Sequence, residues 1–144
     1  MQLDTAILAP AAVLAGWTMI VFLWMLSRRL PAFAAAGIKL GEAPAGMRGG
    51  DSEAQMPPKA NWLSHNYTHL MEQPTVFYPV VIMLALMGDG SALSVNLAWA
   101  YTGIRILHSL WQANVNTIPV RFALFALSTL CLIGLAGQAL MQAL

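Results

Sequence analysis

Charge is what this sequence has least of. Only 9% of its 144 residues are Asp, Glu, Lys or Arg, where a soluble domain carries roughly a quarter. Hydrophobic residues make up 58% and the mean hydropathy is +0.64, which excludes a water-soluble globule and equally excludes disorder. Seven basic and six acidic residues leave a net charge of +1, so there is no basic face for a nucleic acid. A single cysteine, Cys131, rules out an internal disulfide and a four-cysteine zinc site. What remains is a membrane protein.

Crossing about 30 Å of hydrocarbon takes roughly 20 helical residues. Four windows of that order can be found, giving an all-α transmembrane four-helix bundle with helices at about 6–28, 61–87, 92–113 and 118–142. The second is long enough only if it starts near Asn61 and carries His65, His69 and Glu72 with it; Pro74 and Pro79 should kink it. Pro119 sits where a first-turn proline is tolerated. The loop 29–60 holds many Gly and Pro residues and reads as irregular, with a short interfacial helix over 32–40. Trp17 and Trp24 read as lipid-facing or packing residues.

The first apolar run lacks Lys and Arg before it and is followed by Arg28-Arg29, the reverse of a secretory signal. Arg28, Arg29, Lys39, Arg48 and Lys59 all lie in or beside the long loop. The positive-inside rule places that loop in the cytoplasm and both termini outside, in a multi-pass protein of the cell inner membrane.

Ionisable residues within spans are costly and are functional candidates by default. On a helical wheel Asn61, Glu72, His65 and His69 fall at roughly 0°, 20°, 40° and 80°, a single stripe. Tyr101, Arg105, His108 and Gln112 share about 60° of the third helix in the same way. Counted from the loop-side helix ends, Glu72 and Arg105 both lie roughly 12–17 Å deep, so they are expected to pair. Arg121, Arg28 and Arg29 cap the same half. The expected result is a polar cavity open to the cytoplasm. His65-x-x-x-His69 could place two imidazoles near a metal, but the neighbouring arginines repel a divalent cation and no metal site is assigned. Arginine pairs with carboxylates and phosphates, so the cavity suits an anionic amphiphile. Glutathione, a zwitterionic thiol peptide with two carboxylates, fits that description, as do other amphiphilic anions.

Arg28-Arg29 after the first helix, the segment His65-Asn-Tyr-Thr-His-Leu-Met-Glu72-Gln-Pro-Thr-Val-Phe77, and Arg105 followed by Arg121-Phe-Ala-Leu-Phe125 resemble the MAPEG family, the membrane-associated proteins of eicosanoid and glutathione metabolism. The chain is similar to a divergent, bacterial-type member. The resemblance implies a homotrimer that binds glutathione between subunits and acts on lipophilic small molecules as a transferase or peroxidase. It implies Arg121 as the catalytic, thiolate-stabilising residue. Arg28, Arg29, His65, His69, Glu72, Arg105 and His108 would then bind glutathione. Three histidines depart from the family's glutathione-binding pattern: His69 stands where an Asn is usual, His65 where an Arg is, and His108 where a Tyr is. A non-enzymatic membrane protein, whose polar seams serve trimer packing or hold another anionic amphiphile, is the alternative. A transporter fits poorly, because alternating access needs a site that opens to both faces.

Overall fold

The computed structural model describes residues 5–144, apart from the side chain of Leu40. The outward placement expected for the N-terminus concerns residues 1–4, which lie outside that range. Five α-helices make up the fold, with no strand among the described residues: α1 (Leu8–Ala35), α2 (Pro58–Leu70), α3 (Pro74–Leu86), α4 (Ala92–Asn114) and α5 (Ile118–Ala143). α4 packs along α5 and against α1 and α2, while α3 lies between α5 and α1. α4 and α5 occupy nearly the expected spans.

α1 does not stop at Arg28. It continues through Arg29 and Pro31 to Ala35, because one proline removes one backbone bond and the alanines beyond it are strong helix formers. Termination is set by Gly37. With φ at +72° its N–H bonds the carbonyl of Ala34 while that of Ile38 bonds Phe33, the paired closure that ends helices at a left-handed glycine. The interfacial helix expected over 32–40 is therefore no separate element: its first residues are the last turn of α1, and the rest form the exit from it. The loop is also more ordered than its glycines and prolines imply. Two 3₁₀ segments, Leu40–Glu42 and Gly49–Gln55, lie within it. The second is held to α1 by Arg29, which donates to the Gly49 carbonyl beneath Phe33, and to α2 by Asn61, which donates to the Glu53 carbonyl at 2.9 Å.

The second predicted helix is two helices. Pro74 has no N–H to give, and its ring would meet the carbonyl of Leu70 in a continuous helix. The chain accordingly ends α2 at Leu70, turns through Met71, Glu72 and Gln73, and restarts at Pro74.

The apolar core lies in the half remote from the long loop, where Leu14, Val81, Leu84, Ala98 and Leu135 are buried together with Phe77 stacked on Tyr101 at 4.3 Å. The outward faces are also apolar: Met19, Ile20, Leu23, Phe122, Leu130 and Ile133 are all exposed. A surface of that character belongs against lipid or another subunit rather than water. α1 and α5 are each long and apolar enough to cross a bilayer.

The α3–α4 turn holds one buried acid, Asp89. It accepts from the Ser91 N–H and the Ser94 hydroxyl, at the N-terminal end of α4 where negative charge is favoured. Burial works against its ionisation, but those donors outweigh burial and hold the carboxyl below the usual range. A depressed folded pKa stabilises the protein above the unfolded value of about 3.9, and that contribution disappears as pH falls through the folded value. In detergent, wild type is expected to melt above Asp89→Asn at pH 6, with the gap closing as pH is lowered toward ~3. A gap that stays constant with pH contradicts this role.

Candidate functional site

α4 carries an uninterrupted polar seam. Tyr101, Arg105, His108 and Gln112 recur at one-turn spacing and all four are buried. Arg105 is 1% exposed, so its charge must be met inside the protein. The break at Pro74 supplies the means, since the last carbonyls of a helix lack intrahelical partners and carry partial negative charge. Arg105 Nη2 donates to the carbonyl of His69 at 2.7 Å and Nη1 reaches His69 Nε2 at 3.3 Å. Arg105 thus caps the end of α2.

Those contacts also fix the ring of His69. A guanidinium only donates, so Nε2 accepts and Nδ1 bears the hydrogen that it gives to the Glu72 carboxylate at 2.8 Å. The direct Glu72–Arg105 pair expected from matched depth does not form. Glu72 lies in the turn with its side chain 60% exposed, and His69 stands between the two. The carboxylate is displaced because the helix-wheel angle that aimed it inward assumes an unbroken helix.

Arg121 comes from the first turn of α5. Its Nη1 donates to Asn116 Oδ1 at 2.9 Å, and its Nε is buried without a partner. Asn116 adopts φ of +61°, a left-handed conformation that asparagine tolerates better than most residues. The chain thereby reverses between α4 and α5 and the amide is presented to Arg121. Sequence reasoning overlooked Asn116, although an asparagine in a short link between helices is a recognisable turn signal. It also overlooked Gln73, which accepts from Tyr101 at 3.4 Å and donates to Thr129 at 2.8 Å, tying the α2–α3 turn to α4 and α5.

His69 from α2, His108 from α4, and Ile118, Arg121, Phe122 and Phe125 from α5 line an open cavity of about 320 Å³. The rings of His69 and His108 lie 4.7 Å apart, and Phe125 lies 5.6 Å from His69. The lining combines a cation, two imidazoles and an apolar surface of Ile118, Phe122 and Phe125. That combination suits a ligand with an acidic head and an oily body.

The other candidate residues lie elsewhere in the chain. Exposed His65 bonds Glu53 at 2.9 Å. Arg29 is buried against the Gly49–Gln55 segment. Arg28 lines a separate cleft of about 380 Å³ with Trp24, Lys59, Leu63 and Asn114. The stripe expected on one helix face is thus divided: Asn61 and His65 hold the loop, while His69 reaches the α4 seam and Glu72 meets it only through His69.

A family model, that of the MAPEG family, matches residues 7–141, nearly the whole chain. The chain belongs to the MAPEG family. No characterised protein and no solved structure matches it. MAPEG proteins are membrane-bound, which agrees with the two spanning-length helices and the apolar exterior. In this MAPEG chain two of the three histidines, His69 and His108, meet ring to ring at the cavity.

Proposed function

We propose that this MAPEG protein is a glutathione-dependent transferase or peroxidase that acts on lipophilic molecules dissolved in the inner membrane. The supporting observation is the mixed cavity, in which Arg121 and the two imidazoles share the lining with Ile118, Phe122 and Phe125. In this reading Arg121 binds the acidic thiol peptide and favours its thiolate, the reactive form. The apolar wall receives an electrophile arriving from the bilayer. The concentration of basic residues in and beside the long loop supports a cavity in the cytoplasmic half, where glutathione is available. A homotrimer accounts for the exposure of Glu72, Ile118 and Phe122 at the cavity's side of the protomer. A neighbouring subunit would cover them and bring Arg28 or Arg29 toward a ligand they do not reach within one chain.

The test is calorimetry on detergent-purified protein, with conjugation of 1-chloro-2,4-dinitrobenzene measured alongside. Saturable glutathione binding and turnover are expected. Absence of both overturns the reading and leaves the polar seams as packing elements.

A further inference from the structure

We propose that His108 is the acid–base group of the cavity, taking the proton from the bound thiol as the sulfur attacks. The inference rests on the glutathione-dependent function just proposed and adds a residue whose chemistry the MAPEG resemblance does not supply.

Among the cavity-lining groups only the two imidazoles can accept a proton, since Arg121 is a cation with donors alone. His69 is already committed at both ring nitrogens, Nδ1 to Glu72 and Nε2 to Arg105. His108 is not. It is 3% exposed, it lines the cavity, and its sole ring contact among the described residues is a tilted one with His69. Neither of its nitrogens has a hydrogen-bond partner there. The ionisable groups around it are His69 from α2, Arg105 from its own helix and Arg121 from α5. A buried imidazole without a partner, standing on the wall of a ligand cavity, is positioned for proton transfer with a ligand that enters it.

Atoms and charge balance in the step. The His108 ring nitrogen accepts the S–H proton and becomes imidazolium. The sulfur lone pair forms the C–S bond to the electrophilic carbon, and chloride leaves with the C–Cl bonding pair. Imidazolium then gives its proton to water at the open side of the cavity. Arg121 holds the sulfur's developing negative charge while His108 receives the proton, so the two residues have separate tasks.

The experiment compares kcat/KM for glutathione and 1-chloro-2,4-dinitrobenzene from pH 5.5 to 9 in wild type, His108→Gln and His108→Ala, with glutathione binding followed by calorimetry. His108→Gln is expected to lose about 100-fold at pH 7, within the range for a positioned base, while its glutathione affinity changes by less than about fivefold. Its residual rate should climb about tenfold per pH unit, because thiolate then forms only by solution ionisation. Added imidazole should restore part of the activity of His108→Ala, whose vacated space admits it. Rates within about threefold of wild type with the same pH profile overturn the proposal, as does a loss that leaves the profile unchanged and that imidazole does not rescue. Should wild type itself neither bind glutathione nor conjugate, the functional reading fails first and takes this one with it.

Discussion

Arg121→Ala is expected to lower conjugation about 100- to 1,000-fold, the range for removing one donor that stabilises developing negative charge in a water-poor site, equivalent to about 2.7–4 kcal/mol. The expectation comes from how the residue is held. Its Nη1 is anchored on Asn116 while Nε is buried and unspent, so the guanidinium is fixed in place with donor capacity in reserve. Fixed donors stabilise charge better than ones that must reorient. Arg121→Lys should fall between wild type and alanine, because an ammonium keeps the charge but not the planar fork. The loss should appear mainly in kcat, since the charge being stabilised develops as the thiol ionises. Steady-state kinetics in detergent decide the matter. An alanine variant with kcat within a few-fold of wild type removes Arg121 from the chemistry.

The second large effect concerns stability. His69→Leu deprives Arg105 of its Nε2 acceptor and of the link to Glu72, leaving a buried cation with only the His69 carbonyl. Breaking a buried charge's partnership costs about 3–5 kcal/mol. At the lower end, in a chain of this size, that is a fall of roughly 6–12 °C in Tm. Combining it with Arg105→Leu should recover much of the loss, because the stranded charge is then gone. Glu72→Gln should cost less than about 1 kcal/mol, as expected for an exposed carboxylate. Thermal unfolding of the three variants separates this arrangement from a direct Glu72–Arg105 pair, which would make Glu72→Gln the damaging change.

How much of this was legible in the sequence depends on where the helices are continuous. The α4 seam could be read directly, because a helical wheel holds over an uninterrupted helix. The preceding stripe could not. The turn at Met71–Gln73 resets the phase, so residues on either side of it no longer share one wheel, and Glu72 left the face assigned to it. Proline marked the place, but whether it kinks a helix or divides it depends on which groups take the freed carbonyls. Here Arg105 takes one, a contact 36 positions away in sequence. α1 outruns the span its charges suggest because an arginine pair does not stop a helix, whereas the left-handed glycine at 37 does. Likewise, the order in the 29–60 loop comes from Arg29 and Asn61, whose partners local composition does not reveal.

Both proposed roles require one cavity that holds an acidic thiol against Arg121 with His108 beside it. The most direct measurement is a structure of the lipid-embedded protein determined with saturating glutathione. The expected result is ligand density along the wall of His69, His108 and Arg121, with an anionic group within hydrogen-bonding reach of Arg121 and the sulfur beside His108. A saturated protein whose ligand lies away from that wall, or one with no bound peptide at all, contradicts it.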